Sequence, residues 1–450
     1  MRWRIHVCVI AATVLAPAAS SYAGTLTLKA QAGLGGLGRT GRWAPVRVSV
    51  ENTDRDVTGD LVVSWGDAVV RRAISLGSPA RADLVVYIRG GDVRDVVTVR
   101  VESHGAVLQS TDASIRLQSP EEDVTLCVGS SDTSAANDAC DATVSAAALP
   151  RAMWGYDAID HLHWEGTSPD ALDRDQRIAL EQWTAKRLLD AAGVVPSPPR
   201  PLPPEDESGG QPLRLIALGT VVYLVLLVAA TSAARHVRRR PLVVLGVIGA
   251  FAAVGSAAAL AAGRVGPSTA VVVTHSSRID QLPSGGSLVA MKASAQYPTF
   301  DAFELRARLT DGSIVPRNGS RAEARLDEAG EPMLPGAFGF ASRQPFALEG
   351  VIAFSPFRLS RKDGAVTVAN SSAFDYQDCY FSDGVSRQAA GSLRAGQTVD
   401  APAVASAGNF ISCRLAATPV DFEDSRHPVR VEGSTDVVAY LDPLTRRGER

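Results

Sequence analysis

Val46-Arg47-Val48-Ser49-Val50 alternates apolar and polar residues, and Glu51-Asn52-Thr53-Asp54 follows it as a turn. A strand sends successive side chains to opposite faces, so this segment predicts a strand with one face in a core and the other turned outward. Working outward, Thr25–Lys29, Gly59–Trp65, Val69–Leu76, Ala82–Ile88, Val96–Glu102 and Ala113–Leu117 are further strand candidates, with turn residues between them. Short strands about ten residues apart predict an antiparallel β-sandwich, here over residues 24–120.

The 450 residues suffice for two or three domains with cores. The net charge of −3 gives no general attraction to nucleic acid. Lys occurs only at positions 29, 186, 292 and 362, so nearly all positive charge is Arg, a bias that suggests a GC-rich bacterial source. Residues 1–23 read as a signal peptide, with Arg2 and Arg4 before an apolar run and Ser21-Tyr22-Ala23 as a small-x-small cleavage site.

Residues 121–195 predict a truncated α/β segment. Val124–Val128 and Tyr156–Trp164 are strand candidates, and Leu172–Ala192 has helical periodicity with Ile178, Leu180, Trp183, Leu188 and Leu189 as the expected buried face. A Pro-rich linker follows at 196–212. Residues 213–234 and 242–263 contain charge-free apolar runs, Leu215–Ala234 and Leu242–Gly263, each long enough to span a bilayer as a helix. The loop 235–241 between them carries Arg235, Arg238, Arg239 and Arg240, which would place it on the cytoplasmic side. Residues 268–450 predict a second, sandwich-like β domain, with strand candidates at Thr269–Thr274, Ser287–Lys292, Phe303–Leu309, Phe346–Phe354, Ala365–Ala369, Phe374–Phe381 and Asp436–Leu441. The expected fold is therefore mainly β, with a small α/β segment and two transmembrane helices. The expected location is the bacterial inner membrane, crossed twice, with both β parts on the periplasmic side.

Four cysteines fall in those outer parts. Cys127 with Cys140 and Cys379 with Cys413 are expected to form local disulfides, as an oxidising compartment allows. Neither pair has the spacing of a zinc site.

Gly33-Leu34-Gly35-Gly36-Leu37-Gly38 matches the dinucleotide fingerprint literally, but a strand and not a helix is expected after it, so it reads as a turn. His161 and His163 would share a strand face near Asp157, Asp160 and Glu165, which is at most half of a metal site. The chain contains no GxSxG, HExxH or GxxxxGK[ST] motif. No catalytic residue, metal or cofactor is expected.

Three groups of residues carry a resemblance. They are Gly41-Arg42-Trp43-Ala44-Pro45-Val46-Arg47-Val48; Trp154-Gly155-Tyr156-Asp157-Ala158-Ile159-Asp160 with Asp175-Gln176-Arg177-Ile178-Ala179-Leu180-Glu181-Gln182-Trp183; and Val366-Thr367-Val368-Ala369-Asn370, Gln377-Asp378-Cys379-Tyr380 and Gly391-Ser392-Leu393-Arg394-Ala395-Gly396. Together they resemble bacterial membrane-anchored glutamine amidotransferase-like proteins. The resemblance implies an exported sandwich, an α/β amidotransferase-like domain and a further β region. Here the α/β part stops soon after Trp183, and the nucleophile elbow has no counterpart, so the resemblance transfers no catalytic residue.

The expected function is a non-enzymatic scaffold, adaptor or accessory subunit of a membrane complex, with a transporter assembly as one possible host. The expected partners are the membrane and other membrane or envelope proteins, without nucleic acid. The alternative is a protein that binds envelope glycan or peptide, for which Tyr376, Tyr380 and Phe381 would line a groove. A site assembled around His161 and His163 is a third possibility.

Overall fold

A computed structural model describes residues 26–90, 94–129, 140–191 and, with short interruptions, 270–441. Val46–Val50 lies in the strand Trp43–Asn52. Val46, Val48 and Val50 are buried, and Arg47 and Ser49 face the other way, as the alternation requires. This strand is the middle of a three-stranded antiparallel sheet, between Leu26–Ala32 and Ala80–Arg89. Its apolar face packs against a second sheet through Leu28, Leu61, Val63, Trp65, Val86, Ile88, Val97, Val99 and Val101. Trp65 has no exposed surface, and its indole N–H donates to the Arg94 carbonyl at 2.8 Å, so its polar atom is satisfied within the core.

The second sheet has eight strands, and they come from both β regions of the sequence. Its order is Asp421–Asp424, Glu304–Arg308, Pro332–Pro335, Glu323–Leu326, Ala68–Leu76, Val57–Trp65, Val96–Ser103 and Ala106–Ser114. The junction is the parallel pairing of Glu323–Leu326 with Val69–Arg72. Ala324 is buried at this seam and joins the N-terminal core. Arg71 ties the seam electrostatically, with Nε 2.9 Å from Glu323 and Nη1 2.5 Å from Glu102. Arg89 reaches Glu349 at 3.2 Å.

The remaining C-terminal strands form another eight-stranded sheet: Asp311–Pro316, Arg343–Ile352, Ser287–Gln296, Val271–Gln281, Val429–Tyr440, Phe410–Leu415, Tyr376–Ser382 and Arg387–Leu393. A small sheet of Phe357–Lys362, Ala365–Asn370 and Thr398–Asp400 completes this region. Its core holds Phe346, Phe357, Tyr376, Phe381, Ile411 and Val437.

Between the two regions sits a parallel three-stranded sheet, Ala142–Val144, Thr125–Val128 and His161–Trp164, with the helix Arg174–Ala191. The helix starts where Asp173 accepts from the Gln176 N–H at 2.8 Å while the Gln176 side chain accepts from the Asp173 N–H at 3.2 Å, a reciprocal cap. Its buried side chains are Gln176, Ala179, Gln182, Trp183 and Ala185. Ile178, expected inside, is 38% exposed, because the helix meets the small sheet on a face rotated toward Gln176 and Ala179. The side chains of Leu188 and Leu189 lie outside the described residues.

Two expectations are corrected. Among the described residues no helix is long and apolar enough to cross a membrane, so a fold with two transmembrane helices has no support. Arg174–Ala191, the helix that is described, carries charges along its length and packs on a sheet. The location rested on the same two spans, and the two-pass inner-membrane placement falls with them. The stretches 213–234 and 242–263, and the loop residues Arg235, Arg238, Arg239 and Arg240, lie outside the described residues, as does the signal-peptide segment.

Candidate functional site at the junction of three chain regions

The outer face of the three-stranded sheet carries Lys29 and Gln31 from one strand, Arg47 and Ser49 from the next, and Asp83, Val85 and Tyr87 from the third. The register places Lys29 opposite Ser49 and Ser49 opposite Asp83. One row along, Gln31 faces Arg47 and Arg47 faces Val85. Directly opposite residues on one face hold their Cβ atoms about 5 Å apart, so these side chains form a polar grid. In an isolated sandwich this face would meet water. Here it is the floor of a cavity of about 910 Å³. Ala147, Leu149, Pro150, Arg151 and Ala152 from the α/β segment form one wall. Thr310, Asp311 and Ala329 from the C-terminal region form another, with Arg72 beside them.

Most charges on these walls are already paired. Arg151 is 2.8 Å from Asp173. Asp83 pairs with Arg81 at 3.1 Å, and its hydrogen bonds to Ser49 and Arg81 hold its carboxyl below the ordinary range. Arg72 donates to the Glu328 carbonyl at 2.9 Å and to the Val85 carbonyl at 3.4 Å. Arg47 differs, because it has neither an ion pair nor a side-chain hydrogen bond among the described residues, and burial lowers its pKa against the weaker opposing effect of Tyr87 and Tyr156. Asp311 is the second exception. Its Oδ2 is sealed from solvent without a hydrogen-bond partner, and burial raises its carboxyl to about 7 although the Gly312 N–H opposes the shift. Burial and the nearby Asp311 also push the Tyr87 hydroxyl well up, so it stays neutral. An unpartnered cation over a polar floor is an arrangement suited to binding.

The residues singled out from the sequence have other positions. Cys127–Cys140 and Cys379–Cys413 are disulfides, with Cα atoms 5.8 and 4.1 Å apart. His161 and His163 are exposed on the strand His161–Trp164, which pairs with Thr125–Val128. Among the described residues, the group whose ligand atoms converge as a metal site would need is Cys127, Cys140 and Glu165, and there both sulfurs are bonded to each other. Tyr376 and Phe381 are buried in the C-terminal core, while Tyr380 meets Phe410 edge-on at 6.5 Å and lies under Arg387.

The glycine fingerprint is a packing device. Leu34 and Leu37 are buried with Leu126 and Val128 in the core of the α/β segment. A Cβ on Gly35 would lie 2.9 Å from the Ala142 Cβ, and one on Gly38 would collide with Ile115. The strand Leu37–Arg39 leaves this turn, and Arg39 ends 2.6 Å from buried Asp160, which Arg187 also meets at 2.8 Å. Burial alone would raise the Asp160 pKa, but the Val124 N–H and the two guanidiniums outweigh it and hold the carboxylate ionised.

The residues behind the resemblance also build structure. The Trp43 N–H donates to Asp157 at 3.1 Å, and Trp43 lies 6.0 Å from Trp154. Tyr156 lies 5.6 Å from Trp183. Asn370 donates to the carbonyls of Phe374 and Leu393 at 2.7 and 3.1 Å. The cavity itself went unpredicted, because its polar floor reads in the sequence as an ordinary solvent-facing strand face. The one signal was local: Arg47, inside the best-alternating strand, has no acidic residue opposite it.

Residues 25–116 match a family described as a domain of unknown function, DUF8726. No curated protein matches the chain. Among solved structures the chain is similar to the Fcho1 Mu homology domain of Danio rerio with bound Eps15 peptide, at 8% identity, covering 38% of this chain and 95% of that one, with a TM-score of 0.20.

Proposed function

We propose that this chain is a non-enzymatic binding protein of the adaptor or scaffold kind, with the junction cavity as its recognition element. The observation that carries the reading is Arg47, a half-buried guanidinium without a carboxylate partner on the floor of a cavity of about 910 Å³. Holding a cation there without compensation costs stability, and such costs collect at binding sites. The walls come from three separated stretches of the chain, so an occupant would clamp them together and report its presence to both β regions. The likeness to glutamine amidotransferase-like proteins fits this reading. A parallel sheet with one helix is what a truncated α/β domain would keep, and the matching residues are engaged in packing.

The test is hydrogen–deuterium exchange on the full chain against small acids, peptides and glycans. An occupant should slow exchange in Ala146–Ala152 and at Thr310 and Asp311 together. If no ligand class protects these segments, and crosslinking places no partner on them, the cavity is not a recognition element.

A further inference from the structure

We propose that the junction cavity binds a hydroxylated carboxylate of the sugar-acid class, its carboxylate held by Arg47 and Lys29 and its hydroxyls by Gln31 and Ser49. This rests on the cavity being the recognition site, and adds what enters it.

Of the charged groups that line the cavity, Asp83 and Arg151 have the ion pairs already described, and Arg72 donates to two backbone carbonyls. Arg47 and Lys29 then remain with neither an ion pair nor a side-chain hydrogen bond among the described residues, on adjacent strands of one sheet face. Two such cations side by side call for an anion, and a guanidinium matches a carboxylate through two parallel N–H donors. Gln31 sits directly opposite Arg47, and Ser49 directly opposite Lys29. Each cation is therefore flanked by a neutral hydrogen-bonding group, which suits an anion that also carries hydroxyls. The cavity is far larger than a single carboxylate and falls near the upper end of the usual range for organic ligands, roughly 300–1,000 Å³. Bulky aromatic anions fit poorly, because the aromatic wall is Tyr87 alone, and it is already engaged with the Ala152 backbone.

Asp311 adds a pH dependence. It shares the cavity with Lys29 and Gln31 of the first strand, Arg47 and Ser49 of the second, Asp83 and Tyr87 of the third, Arg72 of the neighbouring sheet and Arg151 of the α/β segment. In its neutral form it adds no negative charge to the cavity, and ionised it repels an anion held there. Affinity should then fall as the pH rises through about 7.

The experiment is titration calorimetry on the full chain with trigalacturonate, against maltotriose, which has the rings and hydroxyls without carboxylates, triglutamate, which has carboxylates without hydroxyls, and inorganic phosphate. Trigalacturonate is expected to bind at pH 6 at least tenfold more tightly than each of the others, and several-fold more weakly at pH 8.5. Arg47→Met should lose at least tenfold in affinity without lowering the thermal midpoint, because it removes no ion pair and relieves an uncompensated cation. Asp311→Asn should bind at both pH values with equal affinity. Equal binding of maltotriose overturns the carboxylate, and equal binding of triglutamate or phosphate overturns the hydroxylated class. Unchanged affinity in Arg47→Met overturns the site. A neutral ligand that protects Ala146–Ala152 from exchange, with trigalacturonate silent, would sink this assignment and leave the binding reading standing. Silence from every ligand would sink both.

Discussion

Asp311→Asn should stabilise the protein at alkaline pH and leave it nearly unchanged at acid pH. The carboxyl sits at the start of the strand Asp311–Pro316, with Oδ2 sealed from solvent and unpaired. Burial moves it from its ordinary 3.8 to about 7. At about 1.4 kcal/mol per pH unit, that difference corresponds to about 4 kcal/mol. Part of the residue remains accessible, so water relieves some of the cost, and about 2–4 kcal/mol is the expected effect. The folded state holds this proton more tightly than the unfolded chain. Raising the pH from about 4 to about 7 therefore removes stability from the wild type, and above that range the full cost is present. Asn keeps the shape and an acceptor for the Gly312 N–H but does not titrate. Denaturant unfolding of both proteins at pH 5 and pH 8.5 gives four free energies. The variant's advantage should grow by about 2–4 kcal/mol between the two conditions, which cancels every titration the proteins share. An advantage that is the same at both pH values would refute the claim that Asp311 is held as the neutral acid.

Buried His275 should produce the opposite dependence: burial lowers its pKa from 6.5 to about 4, so the unfolded chain binds the proton more readily and stability falls by about 3 kcal/mol as the pH drops through that window. His275→Gln should flatten this loss in acid denaturant curves, and parallel curves would reject it. Replacing Cys379 and Cys413 together by Ala opens a loop of sequence separation 34 and should cost about 3–4 kcal/mol in denaturant unfolding, and an unchanged unfolding free energy would refute it. Ala324→Pro puts a ring and no N–H into the strand Glu323–Leu326, where Ala324 pairs with Val70 at the seam. It should cost about 3 kcal/mol or more and open the seam to limited proteolysis near residue 324, and an unchanged cleavage pattern would mean that the seam is not structural.

What the sequence revealed follows from where each signal originates. The long strands of the N-terminal sheet were legible because one face is apolar throughout, as with Val46, Val48 and Val50. Ala106–Ser114 was missed except at its end, because it lies at a sheet edge and its residues are largely exposed, without an inner row to alternate. The strand Glu323–Leu326 was missed for a different reason. It has four residues, two of them charged, and it becomes a strand by adding to a sheet built some 250 residues earlier, which no local pattern can encode. The disulfide pairs were legible because the four cysteines fall as two local pairs in parts expected to lie in an oxidising compartment. The membrane spans show the converse error. Apolar length without charge identified two stretches, and the helix that the structure describes is neither of them.

The site was hidden by the same rule that revealed the fold. Alternation divides a strand into a core face and an outer face, and it assigns the outer face to water by default. Arg47, Gln31 and Ser49 satisfy that default completely, so no sequence pattern separates a solvated grid from a roofed one. The roof belongs to tertiary structure: Ala147–Ala152 arrives because Gln176 holds the carbonyls of Ala146 and Leu149 at 3.1 and 2.9 Å, and Asp311 arrives because the C-terminal strands join the N-terminal sheet. Once the roof is in place, the same residues change meaning. A guanidinium that water would have solvated is now half-buried and lacks a counter-ion, and a carboxyl on the far wall is held near neutrality. The informative quantity is therefore the missing partner and not the residue type. On that criterion Arg47 outranks the histidines, the cysteines and the glycine fingerprint, each of which the fold either satisfies internally or leaves in the open.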